Sequence, residues 1–153
     1  MRSGIRGLCI GAALFAALPT GAEPLLKVHT DDNVLATLPL PEGQEACLSW
    51  AHSVTGGKVA DCFENRAGHL VLTRSYLHDF AAGLGEVPGR GVLISAPEGG
   101  YWIEHMDEPM PDNALTLRIG SARVGHRLTT DDTMLPLSEL APGKRARLTL
   151  SAD

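Results

Sequence analysis

The stretch CLSWAHSVTGGKVADCFE, Cys47 to Glu64, is the one on which the fold turns. Two strand-like runs flank Thr55-Gly56-Gly57, so the segment reads as a β-hairpin. A four-residue turn over Thr55–Lys58 sets Val54 opposite Val59, His52 opposite Asp61 and Trp50 opposite Phe63. Directly opposed residues of an antiparallel pair share a face. That face then carries Leu48, Trp50, His52, Val54, Val59, Asp61 and Phe63, apolar except for His52 and Asp61. A buried carboxylate beside a histidine needs a partner, and here each supplies the other's. Cys47 and Cys62 offer a rival organisation, because a cysteine pair in an oxidising compartment invites a disulfide. In the first register Cys62 faces Ala51, four residues or about 13 Å from Cys47 at about 3.3 Å per residue. A disulfide tolerates less than about 7 Å between Cα atoms, so the two organisations exclude each other. The His52–Asp61 pair, with ligand-binding or structural roles both open, is the expectation carried forward.

The same geometry argues against a serine hydrolase. His52 and Ser53 are adjacent on a strand and point to opposite faces, so Ser53 is not activated by His52. A G-x-S-x-G elbow is absent from the sequence.

Outward from the hairpin, short runs of period-two alternation dominate. LLKVHT (25–30) and NVLATLPL (33–40) flank an Asp31-Asp32 turn, and HLVLTRS (69–75) follows Asn65-Arg66-Ala67-Gly68. GVLIS (91–95) and YWIEHM (101–106) suggest a further hairpin. ALTLRIG (114–120) places Leu115, Leu117 and Ile119 inward, and RARLTL (145–150) alternates likewise. LPLSELAPG (135–143) predicts one helical turn, begun by Ser138 and stopped by Pro142-Gly143. With 17 glycines and 10 prolines punctuating the chain, the fold class is all-β: a single antiparallel β-sandwich or open barrel of short strands with at most one short helical turn.

The first 22 residues follow a secretory plan. Arg2 and Arg6 precede an apolar run from Leu8 to Leu18, with Thr20 and Ala22 at the positions a signal peptidase reads. That run is too short for a permanent span, which takes about 20 residues. Cleavage after Ala22 leaves one domain, residues 23–153, exported to the periplasm without a stable membrane anchor. It carries 11 basic against 18 acidic residues, and this balance argues against nucleic acid as a partner.

In WAHSV (50–54), Asp61 followed by Phe63, FAAGLGE (80–86), Tyr101-Trp102, LTLRIG (115–120), HRLT (126–129) and LPLSELAPG (135–143), the chain resembles the bacterial DUF1850 family. The order and spacing of these motifs carry the resemblance, over about residues 25–150. Thr55 stands where family members typically have Glu, and Ala82 where they have a glycine beside Gly83. The resemblance implies a small exported protein encoded near tripartite (TRAP) transporters of the TAXI type. It also implies a partner in a periplasmic solute-binding protein or a transporter component.

The leading expectation is a non-enzymatic periplasmic accessory or interaction module assisting such uptake. The alternative is a small-ligand-binding domain with its pocket between the 76–90 loop and the His52/Asp61 face. Trp50, Ser53, Phe63, His78, Asp79, Gly83 and Trp102 are the supporting residues. His78 and Asp79 precede the Gly83 loop, which either completes that pocket or simply turns. Trp102 is either core or an interface anchor. A metal-dependent enzyme ranks third, with His105 and Asp107 its nearest pattern and no H-x-x-x-H or C-x-x-C to support it. No cofactor is expected.

Overall fold

The structure, a computed structural model, describes residues 23–79 and 89–152. Two antiparallel sheets stack as a sandwich, and neither closes into a barrel. The smaller sheet has the order β2 (Val34–Pro39), β1 (Pro24–Thr30), β12 (Arg145–Ala152), β9 (Ala114–Arg118). The larger runs β11 (Met134–Leu135), β10 (Arg127–Thr129), β3 (Glu45–Ala51), β4 (Lys58–Arg66), β5 (His69–Leu77), β7 (Tyr101–Glu104), β6 (Val92–Ser95). A two-residue strand, β8 (Glu108–Pro109), also pairs with β5.

Alternation builds the core between the sheets. Leu26 and Val28 of β1 and Ala146, Leu148 and Leu150 of β12 face Leu48, Phe63, Leu70, Leu72 and Leu128 of the larger sheet. Each such leucine contributes about 1.5–3 kcal/mol on burial. Leu115 and Leu117 pack on this core from β9 while Thr116 and Arg118 stay exposed, as the alternation predicts. The first and last described strands are neighbours: β1 pairs with β12 over its whole length, from Pro24 opposite Ala152 to Thr30 opposite Ala146.

The helical turn α1 (Leu137–Leu140) is present but starts differently from expectation. Pro136, which makes no side-chain cap, precedes it, and Ser138 is buried inside. The Ser138 hydroxyl accepts from the His126 backbone N–H (2.8 Å) and donates to the Gly120 carbonyl (2.9 Å). A hydroxyl can do both at once, so Ser138 ties three loop segments together rather than capping one helix.

The opening hairpin takes the rival register. Cys47 lies opposite Cys62, Leu48 opposite Asp61, and Ala51 opposite Lys58, with residues 52–57 as the connection. The Cys47 and Cys62 Cα atoms are 4.0 Å apart and their sulfurs are bonded. The expected His52–Asp61 pair is therefore not formed. Asp61 has moved four places along β3, an even number, so the predicted face survives the slip: Leu48, Trp50, Val59, Asp61 and Phe63 still point the same way.

Candidate functional site

His52 now opens the turn instead of ending a strand. Its backbone N–H donates to the Gly57 carbonyl (2.8 Å), and its Nδ1 accepts from the N–H groups of Val54 and Thr55, each at 3.3 Å. With Nδ1 accepting, the neutral ring carries its proton on Nε2. Ser53 lies exposed in the same turn, and its carbonyl accepts from Arg123 (2.9 Å).

Asp61 finds its partner on the other neighbouring strand. Ser75 of β5 lies opposite it, and the Ser75 hydroxyl donates to its carboxylate at 2.6 Å. Burial pushes the Asp61 pKa above its ordinary 3.8, opposed by the Ser75 hydrogen bond and by the positive charge of Arg90, with Glu108 adding to the rise. Arg90 and Glu108 are themselves an ion pair, the Arg90 Nη2 lying 2.9 Å from the Glu108 carboxylate.

His78 and Asp79 border the hairpin turn, sharing with His52 a crevice that Asp61 does not line. A crevice lined by His52, Thr55, Gly57, His78 and Asp79 joins the turn to the end of β5, too tight to admit water. His78 Nδ1 lies 3.6 Å from the Asp79 carboxylate. The missing side chain of Gly57 permits the approach: a Cβ there would sit 2.8 Å from the Asp79 carboxylate. Gly83 lies outside the described residues. Phe63 is core, and Trp50 stacks against His126 with ring centroids 5.7 Å apart.

The metal reading gains little from the donors. His105 sits at φ +59 just past β7, and Asp107 pairs with Arg66 at 3.0 Å. Among the described residues, the grouping close enough to hold an ion is Glu45 with Cys47 and Cys62, whose sulfurs are bonded to each other.

The chemistry that sequence reasoning underplayed lies on the outer face of the larger sheet. Tyr76, Trp102 and Ile94 are aligned across β5, β7 and β6. The Tyr76 and Trp102 rings pack at 5.2 Å; Lys58 Nζ lies 5.3 Å over Tyr76 and the Arg74 guanidinium 4.6 Å over Trp102. Glu45 grips Arg74 through two hydrogen bonds (3.0 and 2.6 Å) and also accepts from Thr73 (3.2 Å). Tyr76 is 2% exposed, because the β6–β7 turn folds onto it and its hydroxyl donates to the Gly99 carbonyl (2.6 Å). That turn docks through Gly100 at φ +78, where a Cβ would meet the Leu77 carbonyl at 2.5 Å. Beyond it, Val92 and Ile94 are 52% and 45% exposed beside a half-buried Trp102. A sequence signal existed in the alternation of Val92, Ile94 and Trp102 against Leu93 and Ile103, but it needed the β6–β7 register to be read.

The family model described as "Domain of unknown function (DUF1850)" matches residues 47–137. No curated protein and no solved structure matches the chain.

Proposed function

The chain belongs to the DUF1850 family, and on that premise we propose that it is a non-enzymatic, exported accessory module that docks a component of a solute-uptake system. The single observation that supports this reading is the outer-face row of Arg74, Trp102 and Ile94, continued by Val92. Tryptophan, tyrosine and arginine supply the dominant contacts of protein interfaces, and they do so when held rigid. Arg74 is held by Glu45 and Trp102 by Tyr76, so little side-chain entropy is lost on docking. The secretory plan of residues 1–22 supports a periplasmic module. The TRAP/TAXI context implied by the family resemblance supports a solute-binding protein or a transporter subunit as the partner.

The test is in vivo photo-crosslinking from position 94, with position 116 on the smaller sheet as control. Capture of a solute-binding protein or transporter subunit from 94 and not from 116, reduced at least tenfold by Trp102→Ala in a protein of unchanged melting temperature, is the expected result. Equal yields from both positions, or only abundant background proteins, would overturn the reading.

A further inference from the structure

Two open grooves lie on the larger sheet, and they differ in how their charges are satisfied. The first, about 380 Å³, is lined by Glu45, Glu64, Arg66, Arg74 and Glu104. Its cations are neutralised internally: Arg66 meets Glu64 at 2.7 Å, and Arg74 meets Glu45 at 2.6 Å and Glu104 at 3.7 Å. The second, about 280 Å³, is formed where the 52–57 turn faces the loop at 121–125. Lys58, Arg123 and Arg127 line it, and no carboxylate does.

The register explains the shape of this second groove. Arg127 of β10 lies opposite Ser49 of β3, and Lys58 of β4 lies opposite Ala51. Ser49 and Ala51 share one face of β3, so two small side chains form a floor between two long cations. The cations stand on strands about 10 Å apart, two strand spacings. Arg123 closes the end, fixed by its hydrogen bond to the Ser53 carbonyl. Among the described residues, none of the three cations has an ion-pair partner (Lys58 also borders the His78–Asp79 crevice). Such an arrangement is unexpected in a chain with 18 acidic and only 13 basic residues, because neutralising carboxylates are abundant.

We propose that this groove is a binding site for a small dianionic solute whose charge is carried by carboxylate or phosphate oxygens. Arg127 and Lys58 hold opposite ends of the anion, Arg123 donates its remaining guanidinium N–H groups, and the Ser49 hydroxyl hydrogen-bonds from the floor. Guanidinium groups suit this ligand because their paired donors match the two oxygens of a carboxylate or phosphate. The volume admits a solute of roughly ten heavy atoms or fewer, just below the 300–1,000 Å³ of drug-sized pockets.

The experiment is a ¹H–¹⁵N NMR titration of the intact protein with inorganic phosphate, with succinate, and with glucose as the neutral control. Saturable shifts confined to the amides of residues 49–51, 56–58 and 122–127 are expected with one or both anions and not with glucose. Saturation by phosphate alone assigns a phosphate-bearing solute; saturation by succinate alone assigns a dicarboxylate. Arg127→Gln combined with Lys58→Gln should weaken binding at least tenfold, and both residues are exposed, so the melting temperature should hold. Unsaturable shifts, or the same affinity in the double variant, would overturn the proposal.

Discussion

The two sheets of this sandwich were built under different rules. In the smaller sheet one face meets the core and the other meets water: β1 and β12 bury every second residue, and Lys27, His29, Arg145 and Arg147 point outward. In the larger sheet the central strand β5 is buried almost without interruption from Leu70 to Leu77. Its inner residues meet the core, while on the outer face Tyr76 lies beneath Lys58 and the β6–β7 turn and packs against Trp102. A one-sided sheet writes its register into its hydrophobic pattern; a two-sided sheet does not, and needs something else to fix pairing. Here that device is the Cys47–Cys62 bridge.

Breaking the one-sided sheet should give the largest effect. Leu148→Ala on β12, 2% exposed between the sheets, is expected to cost about 4 kcal/mol from lost burial and the cavity left behind, measured by urea denaturation. A loss below about 1 kcal/mol would mean that the two sheets are not packed as described. Replacing both Cys47 and Cys62 with Ala should cost about 3 kcal/mol, the chain-entropy value for a loop near 15 residues. The difference between the sheets predicts where that loss appears. Hydrogen exchange should quicken across the β3–β4 pair and remain slow across β1–β12, and equal quickening in both sheets would remove the special role of the bridge.

The smallest effect concerns the carboxylate that the two-sided sheet accommodates. Burial holds the folded pKa of Asp61 above 3.8, so the fold favours the protonated acid. Its contribution is fully present below 3.8 and is lost as pH rises through the raised folded value. Asp61→Asn keeps an acceptor for Ser75 and removes the charge. The melting temperature of the variant should therefore gain on that of the native protein between about pH 3 and pH 7. Parallel melting curves over that range would show that Asp61 ionises freely in the fold.

Legibility in the sequence follows the same division. The alternation marked residues 25–30 as a strand of the smaller sheet, and in 114–119 and 145–150 it gave the correct faces as well. In the hairpin, alternation gave the face but not the register. A four-residue slip keeps Leu48, Trp50, Val59, Asp61 and Phe63 on one face and sends only His52 and Val54 into the turn, so hydrophobicity alone does not distinguish Asp61 opposite His52 from Asp61 opposite Leu48. The turn residues misled as well, because Gly56-Gly57 suggested a tight connection where a six-residue loop organised by His52 is found. Strands β10 and β11 passed unnoticed as strands, being only three and two residues long. The cationic groove draws on β3, β4, β10 and the 121–125 loop, segments up to 78 positions apart, so it has no local signature.

The pairing of β1 with β12 sets an order of events for a chain made from its N-terminus. Leu26 and Val28 emerge early, yet the strand that lies against them, carrying Leu148 and Leu150, follows every other described strand along the chain. Until β12 has emerged, β1 can rest only on β2, a two-stranded ribbon of little stability by itself. The hairpin of β3 and β4, local and able to be cross-linked, can form long before. The sandwich is thus a latch whose two halves are the opposite ends of the described chain, and a truncation that removes Arg145 onward leaves it open however well the middle has folded.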